Sequence, residues 1–223
     1  MAVGAAPRFL LASGSPRRRD LLSGSGIRFE IVRPEVTEAA NRTLTIRELT
    51  TLNATRKALV VARTHHNAVV LGADTLVALD GLVIGKPGDL DEAHAILRRL
   101  SGRRHQVCTA VFICAAAGAR SVGFHVFTRV KFRRLNDTEI SAYLARIDPL
   151  DKAGAYAAQG DGAEIISEIF GSFTNIVGLP MDETVRALRA FGVEPTRTDR
   201  AYDTGSRRQI SSLLPHGSSK KKA

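Results

Sequence analysis

Three successive arginines, Arg17, Arg18 and Arg19, follow Ser15 and Pro16 in the stretch GSPRRRDLL. Serine suits a helix N-cap and proline the first helical position, so these cations fall in or just after the first turn. The helix dipole is positive there, and each cation loses about 0.3–1 kcal/mol against a neutral residue. A multiply charged anion bound at that end would reverse the sign. It would accept the unpaired first-turn N–H groups and the guanidinium forks of Arg17 and Arg18 together. The competing reading is a solvated basic turn. The chain lacks G-x-x-x-x-G-K-[ST], which excludes a P-loop.

A second chemical signal is Asp74 in VVLGADTLVAL, where both faces of the strand are apolar. A carboxylate in such a place must be protonated, ion-paired or bound to a cation. A salt bridge to arginine or lysine is one reading; a metal ligand or general base beside the anion site is the other. The second is favoured because the Asp80-Gly81 turn folds the chain back and carries Lys86 towards Asp74. A two-residue turn pairs Leu79 with Leu82 and, continued, Thr75 with Lys86. A strict pleat would then point Lys86 away from Asp74, so regular pairing is expected to stop at GKP, where Pro87 cannot donate to the ladder. An edge-strand lysine without function is the competing reading. The segment DKAGAYAAQGDG adds Asp151, Lys152 and Gln159 in a glycine-rich loop that backbone and ligand can approach closely. The Gln159 amide offers a paired donor and acceptor suited to the edge of a base.

These groups need elements to hold them. Arg8–Ala12 reads as a short apolar strand, followed by the helix that opens at Ser15 and closes near Gly24–Gly26. FEIVRPEV is a candidate strand and TIRELTTLNATRKALVVART an amphipathic helix; AVVLGADTLVAL and LVIGKP form a hairpin about Asp80-Gly81. Asp89 with Glu92, and Asn136 with Glu139, are capping boxes for two further helices. HQVCTAVFICAA and SVGFHVFTRVKF meet across Gly118 as an antiparallel pair, AYAAQG and AEIISEIFG suggest short strands, and Pro180 opens a last helix closed by Gly192. Strands alternate with helices, but hairpins join several strands. The expected fold is α/β with a mixed sheet.

The 223 residues are 44% hydrophobic and 24% charged, enough for one α/β domain or two lobes sharing a core. Cys108 and Cys114 lie about 20 Å apart along one strand at ~3.3 Å per residue, too far to bridge, and read as core thiols of a reducing compartment. The histidines form no metal-spaced pair. Half of the net charge of +10 belongs to Thr196–Ala223, which holds seven Lys or Arg and two Asp and reads as a solvated, disordered tail. The longest uncharged run around the cysteines, His105–Ala119, is 15 residues, too short for a membrane span. The N-terminal arginines follow the apolar stretch where a signal peptide would have them precede it, so a cytoplasmic location is expected.

Taken together, LASGSPRRRDLL, LGADTLV, GKP, LRRLSGRRHQVCTAV, DKAGAYAAQG and FTNIVGLP occur in order over roughly residues 8–192 and resemble the Maf family of nucleoside triphosphate pyrophosphatases. The resemblance implies an elongated mixed β-sheet with flanking helices and two lobes around a cleft, like the inosine triphosphate pyrophosphatases, with residues 1–195 as the domain. It implies hydrolysis of a nucleoside triphosphate to monophosphate and pyrophosphate, a divalent cation (Mg²⁺ or Mn²⁺), and a homodimer. By the same resemblance Ser13, Arg17 and Arg18 fall at phosphate-binding positions and Lys57 and Lys86 match the family's lysines. Asp74 matches a proton acceptor or metal ligand. Glu38 is the match to the acidic metal ligand, with Glu35 in reserve, because PEVTEAA stands where an acidic pair is commoner. Arg17, Thr75 and Gln159 resemble the positions that mark the dTTP/UTP branch. A non-catalytic nucleotide-binding regulator of cell division and a basic nucleic-acid-binding module are the alternatives; nine Phe, three Tyr and no Trp leave little for base stacking.

Overall fold

The computed structural model describes residues 7–41, 43–115 and 119–196. Thus Gly118, expected between the long paired strands, and the basic tail after Thr196 lie outside the described residues. Seven strands make one mixed sheet: β1 (Arg8–Ala12), β2 (Glu30–Ile31), β3 (Ala68–Leu79), β4 (Leu82–Ile84), β5 (Arg104–Ala115), β6 (Arg120–Phe132) and β7 (Ile166–Phe170). Their order is β2-β1-β3-β5-β6-β7, with β4 also on β3. The β1 pairings are parallel and the others antiparallel. The helices are α1 (Pro16–Gly24), α2 (Ile46–Ala62), α3 (Leu90–Leu100), α4 (Asp137–Leu144), α5 (Phe173–Val177) and α6 (Met181–Arg189).

Alternation along β1 and β3 divides the core. Leu10, Ala12, Ala68 and Val70 face α2, where Ala58, Val61 and Ala62 cover them. Phe9, Leu11, Val69 and Leu71 face the opposite layer, built from α1, α3, α4, α5 and α6. α2 lies very close to β3 at one point: a methyl group added at Gly72 would stand 2.3 Å from the Ala54 carbonyl oxygen and 2.7 Å from the Ala58 nitrogen. Neither atom can move without moving the helix. Gly72→Ala is therefore expected to cost about 3 kcal/mol, the upper range for overpacking, read as a lower urea midpoint with unchanged slope.

The feature that creates a site is a fork in the sheet. β3 pairs with β1 over Ala68–Gly72 and with β4 over Val77–Leu79. On that edge Ala73–Leu76 has no strand partner among the described residues, whereas the other edge pairs with β5 throughout this stretch. The gap holds Asp74 and Thr75. Ladder pairing with β4 ends at Ile84, before Gly85 and Lys86, as the proline in GKP led us to expect. Thr75 faces Thr109 of β5 instead.

Several local expectations are corrected. AYAAQG is not a strand: Gly154 and Ala155 adopt left-handed φ of 76° and 59° within a 3₁₀ turn, Ala153–Ala155. FEIVRPEV contributes only Glu30–Ile31 to the sheet, and the short helix α5 was not foreseen. Asp89 caps α3, but Glu92 returns its carboxylate to the Gly88 N–H and not to Asp89. Cys108 and Cys114 are buried and free, as expected.

Candidate active site

The fork opens into a cavity of about 880 Å³, within the size range of small-molecule sites. Its walls include the β1–α1 turn, most of the segment 33–41 but not Glu35 or Thr37, the first half of α2, the β3 gap, Gly85 with Lys86, and much of the loop 151–159. Six cations line it, Arg17, Arg18, Arg33, Lys57, Lys86 and Lys152, against three carboxylates, Glu38, Asp74 and Asp151. Such an excess in a concave, partly desolvated space favours a multiply charged anion.

The three arginines divide their roles by direction. Ser15 is the N-cap residue of α1, but its side chain makes no capping bond. The Ser13 hydroxyl instead accepts from the Ser15 N–H at 3.1 Å and from Arg18 at 3.4 Å. Arg18 turns inward and is buried; its Nε donates to the Gly178 carbonyl at 2.8 Å and its Nη2 to the Thr75 hydroxyl at 3.0 Å. Burial pushes the Arg18 pKa down, the Asp74 carboxylate acts against that, and Arg17 reinforces it. Arginine remains charged under such conditions. Arg17 stands at the mouth and donates to Asp151 at 2.8 Å, while Arg19 points away and pairs with Asp20 in solvent. The first-turn cations are thus explained for two of the three.

At the floor a single ammonium joins two carboxylates. Lys57 Nζ lies 2.7 Å from Asp74 Oδ1 and 2.6 Å from Glu38 Oε1. Asp74 is 4% exposed and Lys57 7%, whereas the Glu38 side chain is 42% exposed and reaches the open side. Burial opposes ionisation of Glu38, but the charge and hydrogen bond of Lys57, helped by Lys86 and Arg18, outweigh it and hold the carboxyl below the ordinary range. So the salt bridge expected as one reading of Asp74 is present, and it faces the cavity.

Lys86, Thr75 and Gln159 also line the cavity, so all the expected site residues meet in one place. Glu35, the reserve match, is exposed and does not line the cavity. Lys86 is exposed, yet close enough to lower the Glu38 pKa. Gln159 is exposed at the rim, on a loop pinned from several directions. The Gly154 N–H donates to Gly85 O at 3.0 Å, the Ala157 N–H donates to the Tyr143 hydroxyl at 3.1 Å, and the Tyr156 hydroxyl meets His105 Nε2 at 3.1 Å. Burial lowers the His105 pKa to about 4, so this imidazole is neutral support and not a cation of the site.

Asn53, Arg33 and the Asp151 partnership of Arg17 were not read from the sequence. Asn53 had a usable signal, since it stands four residues before Lys57 on the same face of a helix. A hard divalent cation fits the donors present. Mg²⁺ and Mn²⁺ take oxygen ligands and commonly need only one or two protein carboxylates when phosphates supply the rest. Glu38 and Asp74 are two such carboxylates on one cavity, and each keeps oxygen lone pairs beyond those given to Lys57. No group of three or more His, Cys, Asp or Glu is placed to hold a metal among the described residues, so these two would need oxygen donors from a ligand.

The fold and site therefore define an α/β protein with a polyanion cleft at a split in a mixed sheet. Residues 8–191 match the family model described as Maf-like protein, and the chain belongs to that family. Three curated relatives, each called dTTP/UTP pyrophosphatase, are similar over most of the chain. The Akkermansia muciniphila protein is 44% identical, covering 83% of this chain and 97% of the relative. The Pelotomaculum thermopropionicum protein is 45% identical over 82% and 96%, and that of Bacillus cytotoxicus 42% over 82% and 95%. The solved Ham1 protein of Staphylococcus aureus is similar at 13% identity and a TM-score of 0.43, over 83% of this chain and 96% of that one. No helix among the described residues is long and apolar enough to cross a membrane.

Proposed function

We propose that this chain hydrolyses nucleoside triphosphates, dTTP and UTP foremost, to the monophosphate and pyrophosphate. The observation that carries the reading is the convergence of Arg17, Arg18, Lys57 and Lys86 with the buried Asp74 on one cavity. The names of the relatives supply the choice of substrate. A triphosphate carries about four negative charges, and transfer of its phosphoryl groups depends mostly on positioning and charge stabilisation. Ser13, Arg17 and Arg18 would hold the phosphates at the helix entrance, with the Asp151 carboxylate giving up Arg17 to the stronger anion. Asp74 would accept the proton of, or orient, a water that attacks the α-phosphorus. The new P–O bond forms as the bond to the bridging oxygen of the β-phosphate breaks, and Lys57 and Lys86 would supply cations to the departing pyrophosphate. Glu38 and Asp74 would hold Mg²⁺ or Mn²⁺, which when bound supplies charge neutralisation and Lewis acidity at the phosphate oxygens.

Residues 1–195 form the catalytic unit on this reading, in a cytoplasmic homodimer, with the basic tail as an appendage. Incubation with a panel of nucleoside triphosphates and Mg²⁺ or Mn²⁺ tests it: pyrophosphate is expected as the sole inorganic product. Release of orthophosphate would place cleavage at another bond. The rim position of Gln159 leads to a second expectation. Gln159→Ala should change the ranking of bases, with dTTP and UTP losing about tenfold in kcat/KM relative to purine nucleotides, as one lost hydrogen bond is worth ~0.5–1.5 kcal/mol. A uniform loss across the panel would put Gln159 on the phosphates instead.

A further inference from the structure

The Glu38-bearing segment has no strand or helix of its own, yet its carboxylate must meet that of Asp74. Asn53 supplies the connection. It is 3% exposed on α2, one turn before Lys57. Its Oδ1 accepts the Ala39 N–H at 2.8 Å, and its Nδ2 donates to the Ala39 carbonyl at 3.2 Å and to Asp74 Oδ2 at 3.3 Å. Only an amide offers a donor and an acceptor side by side, so the side chain pairs with both backbone groups of one residue, as a neighbouring strand would. Ala39 directly follows Glu38 in the chain. Apart from this pair, the interaction that orients the Glu38 carboxylate is with Lys57, which comes from the same helix.

We infer that Asn53 is a positioning residue that sets the separation and orientation of the Glu38 and Asp74 carboxylates and thereby the affinity of the site for a divalent cation. This rests on the metal-dependent triphosphate hydrolysis proposed above. It is neutral, so its effect comes through geometry and not through charge. Glutamine at this position would overshoot, aspartate would lose both donations and set a third carboxylate beside Asp74, and leucine would keep the volume while leaving the Ala39 peptide groups unpaired.

Asn53→Leu and the smaller Asn53→Ser are to be compared with the parent in free Mn²⁺ titrations followed by electron paramagnetic resonance, in kcat and KM for dTTP, and in urea unfolding. Loss of a partner that orients metal ligands typically costs 10–100-fold in affinity or activity. Both variants are expected to weaken Mn²⁺ binding at least tenfold and to lower kcat similarly with KM for nucleotide within threefold. Combined with Glu38→Gln, the Asn53 substitution should add less than threefold, because its target is already gone. Mn²⁺ dissociation constants within twofold of the parent in the folded variants, or full additivity with Glu38→Gln, would overturn the inference. If Asn53→Leu fails to fold, Asn53→Ser decides. A parent that hydrolyses dTTP but binds no Mn²⁺ would overturn both the carboxylate pair as a metal site and this role, whereas a parent inactive on every triphosphate would overturn the proposed function itself.

Discussion

Asp74→Asn is expected to leave the protein folded and to lower pyrophosphate release from dTTP by about 10³-fold, within the range contributed by a positioned general base or its equivalent. The substitution preserves volume, and the pairing of this residue with Ala110 of β5 is made by backbone and so survives. Lys57 keeps Glu38 as a charged partner, so no ammonium is left buried and alone. What disappears is the negative charge of a residue 4% exposed at the sheet gap, and with it the proposed capacity to accept a proton or ligate a cation. Because a carboxylate is removed from a polyanion site, KM for nucleotide should not rise. Circular dichroism and urea unfolding check the fold, and a coupled pyrophosphate assay checks the rate. Turnover at the parental rate would remove Asp74 from the chemistry.

Lys57→Met carries the second large effect, on stability as well as rate. Truncating one partner of a buried ion pair leaves the other uncompensated, at a cost of ~3–5 kcal/mol. Here the carboxylates of Glu38 and Asp74 would face each other without the ammonium that now touches both. The lower end, about 3 kcal/mol at pH 7, is expected because Glu38 is partly open to water and Asp74 keeps the Asn53 contact.

The pH dependence has a definite sign. In the parent, burial works against the Glu38 charge but Lys57 prevails, so the folded pKa is below the unfolded value. That stabilisation is complete above the unfolded carboxylate pKa and is lost as pH falls through the folded one. In Lys57→Met the burial effect remains and the neighbouring Asp74 charge is no longer offset by the ammonium, so the folded pKa rises above the unfolded value. The folded variant then binds the extra proton, and its stability deficit should narrow between pH 7 and pH 5. Urea unfolding at the two pH values measures this, and a deficit that is constant or widens on acidification would contradict the arrangement. On the proposed function turnover should also fall, by about 10²–10³-fold, since the cleft loses a cation that would stabilise the polyphosphate charge.

Much of this molecule is encoded locally. Thr45 with Glu48 and Asn136 with Glu139 form reciprocal capping boxes, and the Asp80-Gly81 hairpin has the register its two-residue turn requires. These outcomes depend on residues a few positions apart, so their chemistry is visible in the chain. The same holds for Asp74: a carboxylate amid twelve strand residues that are otherwise apolar or small announces burial before any partner is known. Arg17 and Arg18 at a helix entrance likewise stand out in the chain, as cations set against the helix dipole. The tertiary structure decided what these groups meet. It selected Arg18 for burial and left Arg19 in solvent, because Gly178 and Thr75 lie on one side of α1 and come from elements far away in sequence. It put Glu38 on the cavity and left Glu35 off it, since an irregular segment has no periodicity to reveal which side chain points inward; there the Ala39 backbone is held by the Asn53 amide of α2. It also turned AYAAQG from a strand into a pinned loop, through Tyr143 and His105, whose positions depend on packing across the sheet. Backbone preference and charge pattern are properties of a short stretch of chain, whereas the direction of a side chain in a cleft is set by which distant surfaces close around it.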